Sequence, residues 1–385
     1  MSFAVPLING EGMMIPFIDL KAQYERLEKE INSRIQTVLQ HGRFVMGPEI
    51  DEIERKLSQF VGVKHTITCS SGTDALLMPL MAWNVGHGDA VFTTPFTFIA
   101  TAEVIQLLGA TPVFVDIEEN TFNINPVKLR SEIEKTVAMG KLRPKAVIPV
   151  DLFGLPADYD EINALAEEFN LVVLEDAAQS FGATYNGKKS CSLAHAAATS
   201  FFPAKPLGCY GDGGAIFTND DKLAEILRSI RVHGQGTNKY ENIRIGLNAR
   251  FDTLQAAILL PKLEIFPGEV EMRQKVAEKY SRALENRVRT PYVPRDRSSV
   301  WAQYSILARD SEERAAMQEK LKKNGVPSAI YYPVPLHLQQ AFSSLGYKQG
   351  DFPVAEEISK KIFSLPMHPY LEDEQINKII DILID

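Results

Sequence analysis

The chain has only three cysteines among 385 residues, Cys69, Cys191 and Cys209, an odd number without the paired spacing of a metal site. That excludes a disulfide framework and a cysteine-held metal, and it fits a reduced, cytoplasmic setting. Long apolar runs are also missing. No stretch reaches the roughly 18–20 residues that a membrane-crossing helix needs, and the first residues lack the charged start and apolar core of a secretory signal. Basic charge is in deficit: 41 Lys and Arg face 49 Asp and Glu, a net charge of −8. Nucleic acid is therefore a poor partner, because phosphate backbones are bound by basic surfaces. Gly72, the glycine that follows a strand-like run, begins no G-x-G-x-x-G turn, which disfavours a dinucleotide-binding dehydrogenase. Internal repeats and low-complexity segments are lacking too.

What is present is enough apolar residue, 45%, for a large core, in a chain whose length suggests about two domains. Strand-like runs at 65–69, 90–94, 112–116, 145–150, 171–175, 197–202 and 213–218 alternate with helical periodicity. That pattern predicts an α/β fold with a mostly parallel, seven-stranded sheet covered on both faces. Helices are expected at 19–40 and 48–61 before the sheet, and at 223–232 and 253–266 after it, the last bent at Pro261. Pro267 and Gly268 read as a hinge between a large domain, 14–266, and a small C-terminal α+β domain, 267–385. In the latter, a helix to about Leu284, strands near 301–308 and 328–332, and helices at 311–324, 354–362 and 372–384 are expected. Met1 to Met13 stand ahead of the first recognisable motif and read as an extension.

The chemistry is concentrated in a few loops. In SFFPAKPLGCYGDGGAIFTND, Ser200 to Asp220, Lys205 sits on a tight connection between two strands. A lone loop lysine is ordinarily solvated, but one turned inward loses hydration, and its neutral amine can attack an aldehyde. Its company supports that second reading. LVVLED ends a buried strand on Asp176, which is either a helix cap or a carboxylate at the strand edge where open α/β sheets bind ligands. Gln179 follows one turn on. HTITCSSGTDAL sets Gly72, Thr73 and Asp74 at a helix start, where unpaired N–H groups can hold a phosphate, although an ordinary capped helix reads the same way. Phe98 follows a strand and can stack on a ring or be core. Together with Ser200, these supply each part of a pyridoxal phosphate site, with no metal.

With those residues in place, the chain resembles the DegT/DnrJ/EryC1/StrS sugar aminotransferases, fold type I pyridoxal phosphate enzymes of aspartate aminotransferase-like architecture, over about 15–385. The resemblance rests on PFIDL (16–20), SSGTDAL (70–76), PFTFIATAE (95–103), EDAAQSFGA (175–183), the Lys205 segment, RVHGQG (231–236), RIGLNARFDTLQAAIL (244–259) and SLPMHPYL (364–371). It implies that Lys205 carries pyridoxal 5'-phosphate covalently and that Asp176 pairs with the ring nitrogen. Phe98 would then stack on the ring and Gln179 would approach its hydroxyl. Gly72, Thr73, the Asp74 amide and Ser200 match phosphate binders. Asn248 and Arg250 match positions that reach into the neighbouring subunit's site, which implies a homodimer with shared sites.

L-glutamate is the implied amino donor and ping-pong kinetics the implied scheme. Within the family, AIYYPVPLH, VRTPYV and SLPMHPYL are most similar to members that aminate the 3-keto form of UDP-N-acetylglucosaminuronate for bacterial surface polysaccharide (O-antigen) synthesis. Arg250 is the candidate carboxylate clamp, since guanidinium binds carboxylate through paired hydrogen bonds; pairing to Asp252 at an interface is the competing reading. Tyr331, Tyr332 and His337 are candidates for the nucleotide side. A 4-keto sugar nucleotide remains the alternative substrate. A sugar dehydratase, disfavoured by Lys205, and a non-catalytic regulator are the alternative functions.

Overall fold

The computed structural model describes residues 15–238 and 240–384, so the extension ahead of PFIDL lies outside the described residues. Two helices come first, α1 (Leu20–His41) and α2 (Pro48–Val61). The Asp19 side chain caps α1 by accepting the Ala22 N–H at 2.9 Å, and Gly42, at φ 70°, ends it in the left-handed region that glycine tolerates. The alternation follows: β1 (His65–Cys69), α3 (Gly72–Ala82), β2 (Asp89–Thr93), α4 (Ala100–Leu107), β3 (Thr111–Phe114), α5 (Pro126–Met139), β4 (Arg143–Ile148), α6 (Tyr159–Glu168) and β5 (Val172–Asp176). A short hairpin of β6 (Thr184–Tyr185) and β7 (Lys188–Lys189) leads to β8 (Ala196–Ser200), β9 (Gly214–Thr218) and α7 (Asp221–Ile230).

Seven of these strands form one sheet in the order β1-β9-β8-β5-β4-β2-β3. Only β9 runs antiparallel to its neighbours. Every expected strand of the large sheet is present within two residues of its expected start. Their legibility has a physical cause: strands covered on both faces must be nearly all apolar, as in the wholly buried β2 and β9.

The C-terminal part departs more from expectation. α8 runs unbroken from Thr253 to Leu284, 32 residues, through both Pro261 and Pro267. Each proline removes one N–H and strains one turn, but packing outweighs that at both ends. Ala256, Leu259, Leu263 and Phe266 lie in the core of the large lobe, while Val276, Ala277, Tyr280 and Leu284 lie in a second core. Between them Glu269 accepts Gln23 Nε2 at 2.9 Å, and Arg273 Nη1 donates to the carbonyls of Trp301 and Met367, both at 3.1 Å.

The second core is completed by β10 (Arg297–Ser298), β11 (Tyr304–Leu307), α9 (Ser311–Lys323), α10 (Pro353–Lys361), β12 (Ile362–Leu365) and α11 (Asp373–Ile384). β10 joins β6 and β7 in a three-stranded sheet, and β11 pairs with β12. The strand expected near 328–332 contributes only a single bridge, Ala329 to Ser364. The helix expected to reach 362 stops at Lys361, where the all-apolar Ile362-Phe363 begins β12 against Leu307. No helix of the described residues is long and apolar enough to cross a membrane, and no cluster of His, Cys, Asp and Glu able to hold a metal occurs among them.

Candidate active site

Because β1, β8, β5, β4, β2 and β3 are parallel, their carboxyl ends open at one edge of the sheet, and the segments that leave them carry the candidate residues. Gly72, Thr73 and Asp74 form the first turn of α3, capped by Ser71, whose hydroxyl accepts the Asp74 N–H at 3.0 Å. The Asp74 carboxylate is turned back onto the hydroxyls of Ser70 and Ser71. Ser200 ends β8 beside this turn. A β-carbon on Gly72 would stand 2.6 Å from Ser200 Cβ, so only glycine lets the helix start and the strand end approach so closely. The result is a narrow cradle between the helix start and the Ser200 hydroxyl, suited to a phosphate, in which the Asp74 N–H expected to bind it is given to the Ser71 hydroxyl instead. Gly72→Ala is expected to weaken pyridoxal phosphate binding at least tenfold and to lower stability by about 1–3 kcal/mol through overpacking. Spectrophotometric titration of the apoprotein and thermal unfolding check both parts; unchanged affinity would remove Gly72 from the cradle.

Asp176 ends β5 and is 4% exposed. Its Oδ2 accepts the Thr101 hydroxyl at 2.8 Å and its Oδ1 accepts the Ala178 N–H at 3.2 Å. Burial raises its pKa, while those two donors and the nearby Lys205 charge pull it back down. Lys205 lies in the turn after β8, its N–H bonded to the Phe202 carbonyl at 2.9 Å. It is half-buried, yet enough protein surrounds the amine that lost hydration lowers its pKa, against the attraction of Asp176. The two groups therefore oppose each other's shifts, a titratable pair at the sheet edge.

Gln179 is buried and fixed at both ends: Oε1 accepts the Phe153 N–H at 2.6 Å and Nε2 donates to the Tyr332 hydroxyl at 3.2 Å. Through Tyr332 the C-terminal lobe meets the sheet edge, a contact reinforced by the Leu336 N–H on the Pro95 carbonyl at 2.7 Å. Of the two candidate tyrosines, Tyr332 is brought to Gln179 and Tyr331 packs toward Phe17, with ring centroids 6.5 Å apart. Phe98, in the turn after β2, leaves 55% of its surface open although its neighbours 90–97 are all buried. A large ring so uncovered beside buried chain is available for stacking.

Asn248 is exposed, and the Ala249 carbonyl next to it accepts the Ser70 N–H at 3.1 Å, which ties this segment to the cradle. Arg250 forms no ion pair with Asp252 or another acid among the described residues, and it lines a surface hollow with Val45, His233, Arg244 and Ile245. His337 is 2% exposed, its Nε2 3.0 Å from Glu356 and its ring 4.6 Å from that of Phe352. That packing leaves it almost no surface for a nucleotide.

Thr101 was not legible as a site residue. Its only signal is its place four residues after Thr97, one helical turn away, and a buried threonine pair is common in ordinary helices.

The model of the DegT/DnrJ/EryC1/StrS aminotransferase family matches residues 25–384. A protein of Pseudomonas aeruginosa named UDP-2-acetamido-2-deoxy-3-oxo-D-glucuronate aminotransferase is 50% identical over 95% of this chain and 98% of its own. A Geobacillus stearothermophilus protein named pleiotropic regulatory protein is 45% identical over 96% of this chain and 97% of its own. Among solved structures, a DegT DnrJ EryC1 StrS aminotransferase from Brucella abortus superposes with a TM-score of 0.93 at 49% identity, covering 96% of this chain and 98% of that one. NtdA from Bacillus subtilis, solved with bound pyridoxamine phosphate (PMP), gives 0.87 at 29% identity over 98% of this chain and 86% of its own. The chain belongs to the DegT/DnrJ/EryC1/StrS aminotransferase family.

Proposed function

We propose that the chain is a pyridoxal phosphate-dependent sugar-nucleotide aminotransferase that moves the amine of L-glutamate onto UDP-2-acetamido-2-deoxy-3-oxo-D-glucuronate. It would act in the cytoplasm, in bacterial O-antigen synthesis. The observation that carries the chemistry is the pairing of the desolvated Lys205 amine with the buried Asp176 carboxylate at the edge that also holds the Gly72–Ser200 cradle. The choice of sugar follows the 50% identical relative's name.

The residues present fit the cofactor. The cradle accepts a phosphate, the open face of Phe98 accepts a ring, Asp176 can hold a protonated ring nitrogen and Lys205 offers an amine. When bound, pyridoxal phosphate supplies the electron sink that takes up the pair left when the donor's α-proton is removed. Lys205 Nζ, more readily neutral because burial lowers its pKa, takes that proton and later returns it. Asp176 holds its negative charge by virtue of Thr101 and Ala178 and so keeps the ring nitrogen protonated. Gln179, braced by Phe153 and Tyr332, would fix the ring hydroxyl. Arg250, free of acidic partners among the described residues, would clamp a substrate carboxylate.

A homodimer is part of the reading. Phe44, Val45, Ile243 and Ile245 are 47%, 52%, 55% and 85% exposed, and Val45 and Ile245 wall the same hollow as Arg250. Exposed apolar residues gathered around a functional arginine are what a partner subunit covers.

The test is transfer itself. With pyridoxal phosphate loaded, L-glutamate alone should yield one 2-oxoglutarate per site, and added 3-oxo nucleotide should yield its 3-amino product with ping-pong kinetics. Sedimentation of the same sample should give twice the mass of one chain. Turnover of a 4-keto nucleotide alone would move the substrate assignment. Failure with every amino donor would favour a regulator, the role that the Geobacillus relative's name states.

A further inference from the structure

Behind the segment that presents Asp176 and Gln179 lie two carboxyl groups that amine transfer does not use. Asp151, in the turn after β4, and Glu175, next to last in β5, are wholly buried. The Asp151 N–H donates to the Asp176 carbonyl at 3.1 Å, while the Glu175 side chain, one residue before Asp176, leaves the opposite face of the strand.

Ser180 and Ser190 connect the two acids. Glu175 Oε1 lies 2.8 Å from Ser190 Oγ, Ser190 Oγ lies 2.5 Å from Ser180 Oγ, and Ser180 Oγ lies 2.7 Å from Asp151 Oδ2. A longer contact of 3.2 Å joins Ser190 Oγ to Asp151 Oδ2. Each of the three short contacts between oxygens needs one hydrogen, and each hydroxyl supplies one. Two serines leave one contact without a hydrogen unless a carboxyl provides it. No lysine, arginine or histidine is hydrogen-bonded or ion-paired to either acid among the described residues, so two buried negative charges would face each other uncompensated.

The hydrogen bonds also say which acid keeps the proton. Both Glu175 oxygens accept backbone N–H groups, Oε1 from Cys191 at 2.6 Å and Oε2 from Leu193 at 3.1 Å, which is a cage for a carboxylate. Asp151 Oδ1 likewise accepts the Ala157 N–H at 2.9 Å and the Tyr159 hydroxyl at 2.8 Å, but its Oδ2 faces only serine hydroxyls, and these can turn to accept.

We infer that Asp151 is a neutral carboxylic acid whose Oδ2–H starts a directed chain, Asp151 to Ser180 to Ser190 to ionised Glu175, and that this chain is the positioning device for Asp176 and Gln179. Burial raises both carboxyls above the ordinary range, Asp151 to about 6 and Glu175 further still, so the pair keeps one proton; its place on Asp151 follows from the backbone N–H groups that cage Glu175, and the Tyr159 phenol, also raised by burial, remains a donor. The other titratable neighbours are Asp176 and the buried Cys191 thiol, which burial keeps protonated. The positioning half of the inference rests on the cofactor roles proposed for Asp176 and Gln179; the proton assignment does not.

Asparagine at 151 reproduces the neutral acid atom for atom, since its carbonyl accepts from Ala157 and Tyr159 and its amide donates to Ser180. Glutamine at 175 cannot, because its amide meets the N–H of Cys191 or of Leu193 whichever way it turns. In the infrared spectrum of the holoenzyme at pH 8, the carbonyl band of a protonated carboxyl is expected to be present in wild type and to vanish in Asp151→Asn. Pyridoxal phosphate affinity should stay within about threefold of wild type in Asp151→Asn and fall about tenfold or more in Glu175→Gln.

A wild-type spectrum without that band, or its survival in Asp151→Asn, overturns the proton assignment. Unchanged cofactor affinity in Glu175→Gln overturns the positioning role alone. Should that variant fail to fold, Ser190→Ala, which cuts the chain in its middle, takes its place in the affinity measurement, and the Asp151→Asn difference spectrum still decides the rest.

Discussion

Lys205→Ala should leave a folded protein that binds pyridoxal phosphate weakly and transfers amine at least about 10⁴-fold more slowly than wild type. In the proposed mechanism two separate functions would leave with the side chain. One is the covalent hold on the cofactor, and the other is the base that moves the donor's α-proton, a contribution of about 10²–10⁴ by itself. No other lysine in the described structure is placed to replace it. Lys262, the one wholly buried lysine among the described residues, is committed to the Gly208 carbonyl at 2.7 Å. Stability should hardly suffer, because wild type pays for desolvating the Lys205 amine, as its lowered pKa shows. Single-turnover formation of 2-oxoglutarate from L-glutamate, read beside the visible band of the bound cofactor and a thermal melt, separates these effects. Transfer within tenfold of wild type, with the fold intact, would take Lys205 out of the reaction.

Asp176→Asn is expected to have the second largest effect, a fall in kcat of about 10²–10³, the usual consequence of removing a charge that a buried site has preorganised. The amide keeps the volume, its oxygen can still accept the Ala178 N–H, and the Thr101 hydroxyl, a donor to Asp176 Oδ2 at 2.8 Å in wild type, can turn to accept from its nitrogen. What it cannot do is carry the negative charge that, in the proposed mechanism, would keep the ring nitrogen protonated. Since the Gly72–Ser200 cradle and Lys205 are untouched, the cofactor should remain bound and the KM for glutamate should change little, which marks an interaction felt in the transition state rather than in binding. A kcat within threefold of wild type would show that the electron sink does not depend on this carboxylate. An equal fall in cofactor affinity would make Asp176 an anchor instead.

Leu171 to Asp176 shows what was legible in the chain: an apolar run must be a strand buried on both faces, and a carboxylate at its end must face the open edge of the sheet. The Lys205 turn and the SSGTD helix start were legible for a related reason, since glycine and small hydroxyl residues at fixed places report local backbone needs. α8 was not. Whether Pro267 stops a helix depends on packing against Val276 and Tyr280 on one side and Phe266 on the other, and those contacts are not local. The hairpin of β6 and β7 carried a readable Asn186-Gly187 turn, both residues at positive φ, in a stretch whose strands are too short for any periodicity to show. His337 and Thr101 mark the limit at the site: one is a histidine in a promising loop that the fold buries beside Glu356, the other an ordinary helical threonine whose hydroxyl bonds Asp176.

The unbroken α8 bears on how the enzyme handles ligands. At about 1.5 Å per residue it is a rod of about 48 Å whose two ends belong to different lobes, and nothing along it works as a joint. The Gln179–Tyr332 and Leu336–Pro95 bonds tie the C-terminal lobe to the sheet edge a second time, so the walls of the cleft are held by the fold's own bonds. Substrates therefore meet a surface with little freedom left to lose, so the entropy of ordering the cleft falls on folding instead of on each catalytic cycle.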